Sequence, residues 1–240
     1  MRKKFGKEMF NSAYANKVSH KARPHLHDNS LELVDILNEH KAIKDNINIF
    51  EIGSSGYRNL YYIWKENNNV NLFACDLYKS VKNHAHGDVK DLVELHVGDA
   101  SELLPSLDLE SKINLFISSD VLMHIEYDKA KIILESIRDK YKPEFIILRE
   151  RKKEFDNYED ENAEYPKLYH NYNEVLGTEY DLVCDRDSKT QKEEVFVRLF
   201  KRKKAVIKPK KVKKSKKTKK KKIEETIQVY SIIQEINKID

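Results

Sequence analysis

The chain of 240 residues is 40% hydrophobic and 35% charged, the size of one ordinary domain with some excess. Six Gly and five Pro exclude collagen-like and proline-rich architectures, and two cysteines, Cys75 and Cys184, exclude a disulfide framework or a CxxC zinc site. The net charge of +5 hides an asymmetry: residues 201–222 hold 15 Lys and Arg and no acid, residues 201–240 together carry +12, and residues 1–200 carry −7.

Residues 1–45 read as a helical N-terminal cap, with Pro24 separating two pieces. Ser30 is placed to cap the second piece, ahead of Leu31, Leu33, Val34, Ile36 and Leu37 on a helical stripe. From Ile47 the pattern changes. INIFEI (47–52), VNLFAC (70–75), LVELHV (92–97), INLFIS (113–118) and EFIILR (144–149) are short, rich in Ile, Val, Leu and Phe, and closed by polar residues or Gly. Helical patterns lie between them over 58–66, 101–107 and 127–141. Strands alternating with helices predict βαβ units and a parallel sheet covered on both faces. Residues 152–170 are charged, rich in Tyr and without periodicity, and read as a long surface excursion. EYDLVCDRDS (179–188) and EEVFVRLFKR (193–202) then predict a terminal antiparallel hairpin. The expected fold is α/β, a doubly wound and mainly parallel seven-stranded sheet over 46–202. A disordered Lys-rich linker over 203–222 and a short amphipathic helix over 223–240 are expected to follow. The basic start has no apolar stretch behind it, and no run reaches the ~18 residues of a membrane span. A soluble, reduced protein is expected, cytoplasmic or, in a eukaryotic host, nuclear.

The chemistry concentrates at strand ends. A strand closing on Glu51 runs into Gly53-Ser54-Ser55-Gly56 and then a helix, where glycines allow close backbone approach and the helix start offers free N–H groups. Asp76 ends the second strand, 20 residues after Gly56, where a carboxylate accepts from ribose hydroxyls or simply closes a turn. Asp99, after the third strand, either faces a ligand or caps the following helix. Ser119 and Asp120 end the fourth, with His124 just beyond. Carboxylates at successive strand ends converge on the crevice where doubly wound sheets bind ligands.

These motifs, in this order, make residues 47–202 resemble a class I S-adenosylmethionine-dependent methyltransferase. In that family an acidic residue stands two places before the first Gly, as Glu51 precedes Gly53; further glycines usually stand where this chain has Ser55 and Tyr57, and here Gly56 lies between them. The resemblance implies S-adenosyl-L-methionine as cofactor, held by Glu51, Gly53, Ser54, Ser55 and Gly56. It implies ribose contacts from Asp76, adenine contacts from Leu77, Asp99 and Ala100, and a floor beneath the methionine end from Ser119 and the residues after it. Asp120 and His124 become the candidate catalytic residues, His124 because imidazole titrates in the useful range. The acceptor, an oxygen, nitrogen or carbon nucleophile, is not identified.

Other classes fit less well. A nicotinamide dehydrogenase wants G-x-G-x-x-G, and a P-loop wants Gly-Lys-Ser/Thr after the turn. His25-x-His27 and His84-x-His86, with Asp28 and Asp88 nearby, form no recognisable ligand set and read as solvated, so no metal is expected. Cys75 reads as a core residue, and Tyr14, Tyr158, Tyr165, Tyr169 and Tyr172 as surface aromatics flanking the site face. A catalytically silent module that binds S-adenosylmethionine or only a partner stays open, because the glycine loop is altered. The Lys-rich tail is expected to contact polyanions or nucleic acid without sequence preference, or to act as a solubilising appendage.

Overall fold

The computed structural model describes residues 25–109, 112–152, 168, 170–190 and 194–204. The chain divides after Lys203, and the unit before it holds the sheet. The expectations for 203–240 and the tyrosines at 14, 158, 165 and 169 lie outside the described residues, apart from the first two positions of that linker.

Helix α1 spans His25–Glu39, so it begins before Ser30, which the sequence reading made its cap. The cluster Asp28-Asn29-Ser30 looks like a helix start, but two of these side chains are taken by tertiary partners. Asn29 accepts from Thr190, and the Ser30 hydroxyl donates to Asn59 at 2.7 Å. Leu33, Val34, Ile36 and Leu37 are at most 4% exposed, which makes α1 part of the main core rather than a detachable cap. Full burial of such a side chain is worth roughly 1.5–3 kcal/mol.

Seven strands follow: β1 (Ile47–Ile52), β2 (Val70–Asp76), β3 (Val93–Val97), β4 (Leu115–Ser119), β5 (Phe145–Arg151), β6 (Tyr180–Asp187) and β7 (Val195–Arg202). They form one sheet in the order β3-β2-β1-β4-β5-β7-β6. Neighbours from β3 to β5 pair in parallel, and β7 is antiparallel to both β5 and β6. The helices between are α2 (Arg58–Glu66), α3 (Ala100–Ser106), α4 (Tyr127–Ser136) and α5 (Tyr172–Leu176). Every residue of β5 is buried, as expected of a strand covered on both faces. Ile47, Ile49, Ile117 and Ile147 face the core under α1 and α2, and Phe50, Phe116, Ile146 and Phe200 face the other core with α4 and α5. The apolar stripe read over 127–141 is α4 followed by a π turn, Ile137–Tyr141. Left-handed Lys142 and then Pro143 stop it. The short helix α5 and the 3₁₀ turns Lys79–His84 and Leu122–His124 have no counterpart in the sequence reading, being too short to show periodicity. Among the described residues no helix is long and apolar enough to cross a membrane.

Candidate active site

Parallel strands bring their C-terminal ends to one edge of the sheet, and backbone bonds fasten those ends together. Gly53 N–H donates to Cys75 O at 2.7 Å, Gly98 N–H to Asp76 O at 2.9 Å, and Asp120 N–H to Arg149 O at 2.8 Å. The glycine loop leaves β1 through Gly53 at φ 62°, with Ser55, Gly56 and Tyr57 also at positive φ. Gly53 is required twice over: a Cβ there would strain the backbone and stand 2.4 Å from Val121 Cγ2. Tyr57 keeps a left-handed backbone despite its side chain. Its ring is fully buried in the core under α1 and α2, so it supports the loop from behind.

Asp76 is tied to the loops on either side of it. Its carboxylate accepts from Ser55 N–H at 3.3 Å and Tyr78 N–H at 3.2 Å. Burial raises its pKa above the ordinary value, against those backbone bonds. A carboxylate has about four acceptor positions, so capacity remains. Glu51 is 1% exposed and accepts from Asn59 Nδ2 at 2.6 Å; burial pushes its pKa up to about 8. Among the described residues its Oε2 and the Ser54 Oγ are buried without a hydrogen-bond partner. Buried polar atoms are normally satisfied, and with the Tyr57 hydroxyl this loop holds three that are not.

Asp99 caps α3, accepting from Ser101 N–H at 2.9 Å, and its other oxygen accepts from Lys129 Nζ at 2.8 Å. Burial acts to raise its pKa, but the bonds from Lys129 and Ser101 hold it below the ordinary value. Ala100 opens α3 half-buried, and Leu77 and Ser119 are also half-buried at their strand ends. Asp120 sits at φ 57° just past β4, with both carboxylate oxygens accepting from Arg149 Nη1. That guanidinium is fully buried, whereas the Asp120 side chain is 32% exposed. His124 closes the 3₁₀ turn, half-buried, its N–H donating to Val121 O at 3.0 Å.

Several groups around this edge were not legible. Arg149 Nη2 donates to Ser188 and Thr190, each at 3.1 Å, and Glu32 of α1 accepts from the Ser188 hydroxyl at 2.9 Å. Glu150 is fully buried and faces the turn after β4, where burial pushes its pKa up to about 7. Both follow an apolar run and look like the charged end of a strand; only the register of β5 against β4 and β7 shows them inside. Tyr172, read as a surface aromatic, is fully buried in the core with Phe196. His27, read as solvated, hydrogen-bonds Tyr62 at 2.9 Å, and the His86 ring stacks on Tyr61 at 4.0 Å. Among the described residues no group of three or more His, Cys, Asp or Glu is arranged to hold a metal. Cys75 is buried, and burial raises its thiol pKa to about 12, as suits a core residue.

No protein-family model matches the chain, and no curated protein matches it by sequence. Solved structures do. The N-methyltransferase NodS from Bradyrhizobium japonicum WM9, in complex with S-adenosyl-l-homocysteine, is 10% identical with a TM-score of 0.61, over 82% of this chain and 99% of that one. Magnesium protoporphyrin IX methyltransferase (ChlM) from Synechocystis PCC 6803, with bound SAH, is 11% identical with a TM-score of 0.58, over 74% and 83%. An S-adenosylmethionine-dependent methyltransferase from Clostridium acetobutylicum ATCC 824 is 13% identical with a TM-score of 0.56, over 81% and 98%. At such identities the likeness is one of fold. The chain has the Rossmann-like fold of the class I S-adenosylmethionine-dependent methyltransferases.

Proposed function

We propose that the chain is an S-adenosylmethionine-dependent methyltransferase acting on an oxygen, nitrogen or carbon acceptor. One observation carries this reading: the left-handed glycine turn after β1 is hydrogen-bonded through Ser55 N–H to Asp76 at the end of β2. This supports a reading in which loop amides and a ribose-binding carboxylate meet one ligand. The unpartnered Glu51 Oε2 and Ser54 Oγ suit the same ligand.

When bound, the cofactor supplies a methyl carbon made electrophilic by its sulfonium. The chain's part is to bind, orient and take up a proton. Asp76 accepts from the ribose hydroxyls, Leu77 and Ala100 flank the adenine, and Asp99 meets its exocyclic amine. Glu51, Gly53, Ser54, Ser55 and Gly56 hold the methionine end from the loop, with Ser119 beneath. Asp120, held by Arg149, orients the acceptor as a fixed anion, which leaves His124 as the group to take its proton. The buried free thiols Cys75 and Cys184 suit a reducing, cytoplasmic setting. The Lys-rich segment over 203–222 extends the reading to a partner: a polyanion held by counterion release.

S-adenosylmethionine or S-adenosylhomocysteine should raise the melting temperature, and NAD should not. No shift with either sulfur compound at millimolar concentration overturns the reading. Asp76→Ala should weaken S-adenosylhomocysteine binding about tenfold or more, the scale of a lost hydrogen bond to a charged group. His124→Ala should lower turnover and leave that affinity nearly unchanged.

A further inference from the structure

The turn that carries Asp120 into His124 is held from two sides, by the buried side chains of Glu150 and His170 among others. From β5, the buried carboxylate of Glu150 meets three successive backbone N–H groups: Val121 and Leu122 donate to Oε1 at 3.4 and 3.1 Å, and Met123 donates to Oε2 at 3.0 Å. The Ser118 hydroxyl donates to Oε1 at 2.6 Å, anchoring the carboxylate to the end of β4. From the segment before α5, the 2% exposed His170 places Nε2 2.7 Å from Leu122 O, and Leu168 N–H donates to Met123 O at 2.6 Å. Both faces of the peptide units at Leu122 and Met123 are therefore engaged. The same turn delivers Val121, 8% exposed, onto Gly53, with methyl carbons where a Cβ of residue 53 would stand.

A strand of this length needs no carboxylate at Glu150 for its own stability. An apolar side chain would fill the space without the cost of burying an acid. What the carboxylate does is gather three amides that would otherwise be buried donors, fixing the path of the backbone between β4 and α4. Resting on the methyltransferase reading above, we infer that Glu150, with His170 opposite, is a positioning residue: it clamps the turn Val121–His124 so that Val121 is held against Gly53. The clamp thereby sets the floor of the cofactor site and aims His124. Glu150 touches no ligand; its effect passes through Val121 and the turn.

The test uses the full chain and S-adenosylhomocysteine as probe, with affinity measured by calorimetry and amide hydrogen exchange followed at 121–123. Glu150→Ala should weaken binding about tenfold or more and speed exchange at Leu122 and Met123, because their N–H groups lose a buried acceptor. Glu150→Gln keeps one acceptor oxygen but turns an amide against one backbone N–H, so it should fall between the wild type and Ala in both readouts. Val121→Ala should weaken binding while leaving exchange at Met123 as in the wild type, since the clamp itself stays intact. A Glu150→Ala protein that melts lower but binds the probe as tightly as the wild type has lost only stability, and that result overturns the inference. If the Ala variant does not fold, the Gln variant decides: unchanged affinity with unchanged exchange overturns the inference equally. Wild-type protein that ignores the probe defeats the methyltransferase reading, and this role falls with it. Wild-type binding that is indifferent to Glu150 defeats the positioning role alone.

Discussion

Two buried carboxyls, one that the sequence marks as part of the glycine loop and one that it presents as an ordinary strand end, make the fold sensitive to pH. Glu51 and Glu150 are both buried, and burial raises their pKa to about 8 and about 7. In the unfolded chain each ionises near 4.5, so above that value unfolding releases protons and becomes easier. Their contribution is intact below pH 4.5 and is lost as pH rises through the folded values. The penalty is on the order of 5 kcal/mol for Glu51 and 3 kcal/mol for Glu150. Thermal unfolding should show the melting temperature falling by roughly 10–25 °C between pH 5 and pH 8.5. Glu51→Gln keeps the acceptor for Asn59 and should flatten that slope; a slope unchanged by the substitution would show that Glu51 is already ionised in the fold. Which residues were readable follows from what a one-dimensional pattern can encode. Gly53 was readable because a left-handed turn after an apolar strand demands glycine. The place of Asp76 at the end of β2 was readable because the apolar run stops there, although the same acid also closes the turn through Tyr78 N–H. Arg149 and Glu150 were not, because a charged pair closing an apolar run looks the same whether it emerges into water or is covered by α1 on one side and the turn after β4 on the other.

Between elements, the buried guanidinium of Arg149 joins four parts of the fold: β5 itself, Asp120 after β4, the β6–β7 connection through Ser188 and Thr190, and Glu32 of α1 at 3.9 Å. A second path runs from Ser30 of α1 through Asn59 of α2 to Glu51. α1 is thus attached to the site edge at two points by polar contacts, in addition to its apolar face in the core. Arg149→Ala leaves Asp120 and Glu32 without their cation and should cost about 3–5 kcal/mol by chemical denaturation. Limited proteolysis should then open cuts near α1 that the unsubstituted protein lacks, and an unchanged pattern there would mean that the apolar face alone holds the helix. The helical character of α1 was legible from its stripe of Leu, Val and Ile. Its start was not, because Asn29 and Ser30 have the chemistry of caps and are spent instead on residues distant in the sequence.

Taken over its length, the sequence joins an acidic body to a basic segment, and the last strand reaches into that segment. Lys201 and Arg202, counted by sequence among the basic run, belong to β7: Lys201 lies over the Phe145 ring at 5.3 Å, and Arg202 donates to Lys142 O at 3.3 Å. Lys203 is also engaged, its N–H donating to Glu179 O at 2.9 Å. Truncation should therefore be made after Lys203. The shortened protein should lose salt-sensitive binding to heparin, DNA or RNA and keep its affinity for S-adenosylhomocysteine. Loss of that affinity would show that residues beyond 203 contribute to the site, and a full-length protein that ignores polyanions at low salt removes them as partners. The alternation of strand and helix, and with it the sheet, was legible because each strand is short and apolar; the order of the last two strands was not, since a hairpin pattern is the same whichever arm docks.

That order matters on the ribosome. β7 lies between β5 and β6, although it is the last made of the described strands. Until residue 202 has emerged, β5 has an open side, and Phe145, Ile146, Ile147 and Leu148 stand along an unpaired edge. β6 does not cover it: among the described residues β6 bonds only to β7. The sheet of a nascent chain is thus complete on the β3 side well before it is complete on the β5 side. An exposed apolar edge of this kind is where chains join one another. Arrest of synthesis anywhere between β5 and the end of β7 should yield aggregates or chaperone-bound chains, whereas arrest a few residues later should release a folded domain.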